Sequence, residues 1–162
     1  MNFITATENE MKLVQDIAHE CWPVAYKNII SEEQIHYMLE MMYSEESLLK
    51  QLAEGCEFII AMEDNRPVGF ASFSLYANGK SKLHKLYLYS HLKGKGNGSQ
   101  LVKEVARRAL QKGATHLELQ VNKNNPAVDF YKKNGFTIQE AAVFDIGNGF
   151  VMDDYIMSKP LR

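Results

Sequence analysis

Leu86-Tyr87-Leu88-Tyr89-Ser90-His91-Leu92-Lys93-Gly94-Lys95-Gly96-Asn97-Gly98-Ser99 is a strand that runs through a glycine-rich turn into a helix, and the fold is read outward from it. Upstream, Lys82–Tyr89 alternates, placing Leu83, Lys85 and Tyr87 on one face and His84, Leu86 and Leu88 on the other. Downstream, the Leu101/Val105/Ala109 and Val102/Ala106/Leu110 rows give an apolar face to a helix over Ser99–Lys112, which Gly113 ends. Gly94, Gly96 and Gly98 stand at every second position and allow positive φ and close backbone approach. Free amides there, together with the dipole of the following helix, suit a phosphate. Lys93 and Lys95 add full positive charges.

The rest of the chain frames this unit. Met11–Lys27 has helical spacing at Leu13, Ile17 and Cys21, with Thr7 and Glu10 spaced as a capping box. Ser31 opens a second helix with Ile35, Met38, Leu39 and Met42 on its apolar side, and a shorter third follows Ser44 or Ser47 and stops before Gly55. Glu57–Met62 and Val68–Tyr76 form a hairpin across the turn cluster Glu63–Pro67. After the long helix come a strand over Thr115–Val121, a short helix over Asn124–Asn134 stopped by Gly135, and strands around Phe136–Asp145 and Phe150–Ser158. The expected fold is α/β, a mixed and largely antiparallel central sheet flanked by helices, in the order α-α-β-β-β-α-β-α-β-β.

Composition narrows the partners. The 162 residues suit one domain, spanning 1–162, and the 46% hydrophobic and 23% charged fractions are those of an ordinary globular protein. A net charge of −2 disfavours a nucleic-acid surface built on phosphate contacts. Cys21 and Cys56 lack metal-ligand spacing, so no metal site is expected. The N-terminus lacks the basic-then-apolar order of a signal peptide, and no apolar run has the length to span a bilayer, so a cytoplasmic location without a membrane partner is expected.

Which phosphate ligand the loop takes depends on its wording. The Gly-x4-Gly-Lys-[Ser/Thr] pattern is absent, and Ser99 stands where the third glycine of a dinucleotide fingerprint would be. Lys93-Gly94-Lys95-Gly96-Asn97-Gly98 instead resembles the Q/R-x-x-G-x-G/A signature of the GNAT acetyltransferases. The later block, Leu119-Gln120-Val121, Asn124-x-x-Ala127 and Phe130-Tyr131-Lys132-Lys133-Asn134-Gly135-Phe136, is similar to that family's next motif. Two departures are Lys93 in place of Gln or Arg, and Asn97 in place of an aliphatic residue, which would weaken packing under the loop.

The resemblance implies acetyl-CoA as co-substrate, held by main-chain groups of Leu86, Tyr87 and Leu88 and by the loop from Lys93 to Ser99. It implies further contacts from Asn124 or Asn125 and from Tyr131, and direct attack of an amine on the thioester. Tyr131 stands at the family position of the acid that protonates the departing thiolate. His84 and Glu118 are candidate bases, since the amine must arrive neutral. Trp22, Tyr26 and Tyr37 are candidates for the acceptor wall. The N-terminal helices and the ending Asp154-Tyr155-Ile156-Met157-Ser158-Lys159 are similar to bacterial spermidine/diamine acetyltransferases, with Glu32, Glu33, Glu40, Glu45 and Glu46 as acidic residues to attract a polycation. The expected reaction is acetyl transfer to a primary amine of a small molecule. A peptide acceptor and a non-catalytic acyl-CoA sensor are the alternatives, and a homodimer would be compatible with the family.

Overall fold

The computed structural model describes all residues, 1–162. It contains β1 (Asn2–Thr5), α1 (Met11–Ala25), α2 (Glu32–Tyr43), α3 (Glu45–Ala53), β2 (Glu57–Glu63), β3 (Arg66–Tyr76), β4 (Lys80–Leu88), α4 (Asn97–Gln111), β5 (His116–Asn122), α5 (Ala127–Lys133), β6 (Thr137–Gly147) and β7 (Phe150–Pro160). The strands make one seven-stranded sheet in the order β1-β2-β3-β4-β5-β7-β6. Every pairing is antiparallel except β4 with β5. The parallel pair needs a crossover, and α4 supplies it. No helix is long and apolar enough to cross a membrane.

Local chemistry accounts for the element ends. Glu10 Oε1 accepts from the Thr7 amide at 3.1 Å, while Thr7 Oγ1 accepts from the Asn9 amide at 3.3 Å, so the expected box forms ahead of α1. Ser31 Oγ accepts from Gln34 N–H at 3.0 Å, and Ser44 Oγ from Ser47 N–H at 3.2 Å. Ser44 thus ends α2 and starts α3, which makes three helices before the first hairpin. The β2–β3 turn is tighter than the sequence suggests. Asp64 and Asn65 both take positive φ, 51° and 61°, so β3 starts at Arg66. β1 adds a strand ahead of the expected order. Its four residues are too short to show an alternating pattern, and they find their place only by pairing with β2.

Two cores lie on the two faces of the sheet. Leu101, Val102, Val105 and Ala109 of α4 pack with Tyr131 and Phe136 against one face. Ile17 and Trp22 of α1 and Met38, Leu39, Tyr43 and Leu48 pack against the other. Arg108 fastens α4 to the sheet, its guanidinium reaching Glu57 and Thr5 at 2.8 Å each and Glu104 at 2.7 Å.

One irregularity corrects the face assignment for β4. Ser72 pairs with Lys85 but Phe73 pairs with Leu83, so His84 is an extra residue, a β-bulge. The bulge changes the parity of the strand. Leu83 packs in the α4-side core with Leu88 and Leu86, whereas Tyr87 packs on the α1 side and the Lys85 ammonium lies 5.2 Å from the centroid of the Tyr43 ring there. The His84 imidazole meets Ser74 Oγ at 2.7 Å, and Ser74 faces away from its neighbour Phe73, which belongs to the α4-side core. His84 and Lys85 therefore both look toward α1–α3.

Candidate active site

The parallel β4–β5 ladder runs from Lys80/His116 to Leu83/Leu119 and then stops, although β4 continues to Leu88 and β5 to Asn122. Each strand keeps its outer partner, β3 for β4 and β7 for β5. The two halves of the sheet consequently splay, and a cavity of about 660 Å³ fills the wedge. That volume is in the range of sites for drug-sized ligands.

The β4 edge of the wedge offers backbone groups. Tyr89 N–H donates to Val68 O at 3.1 Å, so in an antiparallel ladder Tyr87 also faces β3. Leu86 and Leu88 then direct their N–H and C=O groups into the gap, where an extended ligand arm can pair with them as an added strand would. Of the three residues expected there, Tyr87 contributes its side chain instead. Its hydroxyl meets Tyr26 Oη at 2.9 Å, and both tyrosines line the cavity.

At the mouth of the wedge the glycine loop turns into α4. Gly94 and Gly96 have φ of 78° and 81°, and a Cβ built on either would meet nothing within 4 Å, so the loop borders open space. The amides from Gly94 to Ser99 find no acceptor within the chain, and the first bond of the helix runs from Gln100 N–H to Gly96 O. Six adjacent free donors at a helix N-terminus form a concavity suited to a pyrophosphate. Gly98 is needed for packing, because a Cβ there would lie 3.0 Å from the Phe130 ring. Asn97, expected to weaken the loop, is buried and donates from Nδ2 to Leu92 O at 3.2 Å, which ties the loop down. Lys93, Gly94, Gly96, Gly98 and Ser99 border the cavity, while the side chains of Lys95 and Asn97 do not.

Across the wedge, Asn125 Oδ1 accepts from Ala127 N–H at 2.9 Å and borders the cavity, so it is Asn125 that opens α5. Asn124 instead donates its amide to Asn122 Oδ1 at 2.9 Å and lies outside. α5 carries Tyr131 into the cavity between Phe130 and Phe136, with ring centroids 5.2 and 5.5 Å away. Burial, aided by nearby Tyr26, holds the Tyr131 hydroxyl well above the ordinary phenol value, so it is a proton donor throughout the neutral range.

The other expected residues separate. His84 borders the cavity, but burial and then Lys82 and Lys85 push its imidazole down to about 4, so it is neutral at pH 7. Glu118 does not border it. Its carboxylate meets Lys80 Nζ at 3.5 Å and Tyr76 Oη at 3.2 Å. Tyr26 is a wall residue, whereas Trp22 is 1% exposed in the α1-side core and donates to Tyr43 Oη at 3.3 Å. Tyr37 lies away from the cavity and donates to Ile146 O at 2.7 Å. Glu32, Glu33, Glu40, Glu45 and Glu46 are exposed and none of them lines the cavity.

Two residues escaped the sequence reading. Lys85 borders the cavity at 5% exposure, and burial pulls its ammonium down to about 8. Asp154 is 4% exposed on β7, and its Oδ1 has no hydrogen-bond partner. A charged residue at an alternating strand position reads as solvent-facing, and only the bulge and the assembled sheet bury these two.

Residues 11–136 match the profile of the Acetyltransferase (GNAT) family. The spermidine N(1)-acetyltransferase of Thermoplasma acidophilum is 29% identical over 150 residues, aligning 89% of this chain with 90% of that protein. An uncharacterized N-acetyltransferase of Mycobacterium tuberculosis is 30% identical over 147 residues, covering 90% of this chain and 94% of its own. Among solved structures, the PaiA N-acetyltransferase of Thermoplasma acidophilum in complex with coenzyme A superposes with a TM-score of 0.82 at 27% identity, over 99% of both chains.

Proposed function

The chain belongs to the GNAT acetyltransferase family and is an acetyl-CoA-dependent N-acetyltransferase, and we propose that it acetylates a primary amine of a small molecule, a polyamine foremost. The observation that carries this reading is the splay of β4 from β5. It joins a nest of unpartnered amides to a walled cavity that contains a buried tyrosine hydroxyl. The spermidine-acetylating relative from Thermoplasma supports a polyamine within that class.

In this reading the Gly94–Ser99 amides hold the pyrophosphate of CoA, with Lys93 beside them. The main-chain groups of Leu86 and Leu88 hold the pantetheine arm, and Asn125 borders it from α5. CoA supplies an activated acetyl thioester. The amine enters from the α1 side past Tyr26 and must be uncharged to attack. Lys82 and Lys85, which depress His84, act on an incoming ammonium in the same sense and favour its neutral form. His84 stays neutral and is a weak proton acceptor, while Glu118 is held outside the cavity by Lys80 and Tyr76. The Tyr131 hydroxyl protonates the leaving sulfur and is restored, by way of solvent, by the proton that the attacking nitrogen gives up as it becomes an amide. Free thiols at Cys21 and Cys56 suit a reducing, cytoplasmic setting.

Thiol release from acetyl-CoA across spermidine, spermine, 1,4-diaminobutane, short lysine peptides and aminoglycosides tests the acceptor class. Turnover concentrated on the polyamines is expected. Turnover on peptides alone would overturn the small-amine reading, as would silence across the panel by protein that still binds CoA, which would point to a protein acceptor.

A further inference from the structure

Asp154 Oδ1 has no hydrogen-bond partner, although burying a carboxylate costs several kcal/mol unless donors compensate it. The ion pair nearby joins Lys123 to the neighbouring Asp153 at 2.8 Å, and Asp154 Oδ1 is left bare. Asp154 does not itself border the cavity, but its charge acts on Tyr26, which does, and its strand position sets it on the acceptor side of the wedge. Met152 of β7 belongs to the α1-side core and Tyr155 packs against the α4-side core, so Asp154 faces α1 and α2. In the β5–β7 ladder Asp154 stands opposite Asn122 and diagonal to Gln120, which borders the cavity. Diagonal neighbours on one face lie about 7–8 Å apart, within the span of a small ligand.

We infer that Asp154 is the counter-ion for a second ammonium of the acceptor, so that the enzyme selects di- and polyamines over monoamines. This rests on the small-amine reading above and names the substrate class within it. An ammonium paired with a carboxylate keeps its proton and cannot attack a thioester, so the group held by Asp154 is not the nucleophile. The reacting amine is a different nitrogen of the same molecule, made neutral near Lys82 and Lys85. The site thus offers opposite fields to the two ends of a diamine, negative at β7 and positive at the β4 bulge. Burial first, and then Asp153, raise the Asp154 carboxyl to about 6 against the pull of Lys82. It is ionised at neutral pH and gains most from a cationic partner.

Comparing 1,4-diaminobutane with n-butylamine isolates the second charge at constant chain length. Wild-type enzyme is expected to favour the diamine in kcat/KM by roughly ten- to a hundredfold, the usual worth of a charge-assisted hydrogen bond. Asp154→Asn keeps the shape, and the ratio should fall to about one through a higher KM for the diamine. The monoamine, which has no second ammonium, should lose far less than the diamine, and CoA affinity should keep its wild-type value. Removal of an unpaired buried charge should leave the melting temperature equal or higher. A ratio unchanged in Asp154→Asn overturns the inference, as does an equal loss of kcat for both amines, which would make Asp154 a proton acceptor. Should the variant fail to fold, a wild-type ratio near one overturns it without the variant. If wild-type enzyme acetylates neither these two amines nor spermidine, the polyamine reading itself falls, and the inference with it.

Discussion

The Gly96→Asp variant is expected to fold and to lose CoA, its dissociation constant rising by 10²-fold or more. Two effects combine at this position. Gly96 has φ of 81°, a region that costs a side-chain-bearing residue about 1–2 kcal/mol, and this is felt with or without ligand. The second effect is specific to the complex. A carboxylate about 5 Å from a phosphate charge, at an effective dielectric of about 20, opposes binding by ~3 kcal/mol, and a pyrophosphate presents more than one such charge. Three kcal/mol is about two orders of magnitude in affinity. Because a Cβ at Gly96 meets nothing within 4 Å, the loop has room for the new side chain. Gly96→Ala is the control and should lower the melting temperature while CoA affinity stays close to wild type. Calorimetric titration with CoA reads both variants. Wild-type affinity in Gly96→Asp would place the pyrophosphate elsewhere.

Tyr131→Phe should lower kcat by about 10²- to 10³-fold while the dissociation constant for CoA changes little, since removing a positioned general acid commonly costs on that scale. Its ring packs between Phe130 and Phe136, and phenylalanine keeps those contacts. Burial raises the pKa of the hydroxyl, which keeps it protonated and able to act in the proposed role when the thiolate departs. Thiol release under saturating acetyl-CoA, beside a CoA titration, separates the two quantities. An unchanged kcat would show that the leaving sulfur takes its proton from water, and a parallel loss of CoA affinity would make Tyr131 a binding residue.

The parts of the site that were legible in the sequence are those where backbone geometry restricts the residue type. Positive φ at Gly94 and Gly96, and the packing of Gly98 against Phe130, leave a spacing that can be read without coordinates. The run from Phe130 to Phe136 is legible for a related reason, because a short helix stopped by Gly135 fixes the direction of Tyr131. The strand alternation was legible only up to the bulge. Whether His84 is an extra residue depends on how β3 and β4 pair, a property of two strands together, so Lys85 looked like a partner of Leu83 when it faces the opposite way.

Trp22 and Tyr37 show another limit. A large aromatic residue on an apolar helix face has the same pattern whether it walls a cavity or fills a core, and only Tyr26 borders the wedge. The acidic residues of α2 and α3, read as attracting a polycation, do not line the cavity. They are exposed, while the buried and unpaired carboxylate comes from β7. Asp153-Asp154 has the look of a solvent-facing pair, and the assembly of β5, β6 and β7 separates them, one to Lys123 and one to the interior.

Amide hydrogen exchange with and without CoA tests most directly whether the splay of β4 from β5 is the acetyl-CoA site. The Leu86 and Leu88 amides face the wedge and the Gly94–Ser99 amides have no acceptor in the chain, so all should exchange quickly in the free protein. Saturating CoA should slow this set while leaving Tyr87 and Tyr89, bonded toward β3, nearly unchanged. Protection confined to other segments, or absent from the wedge while CoA is bound, would contradict the account.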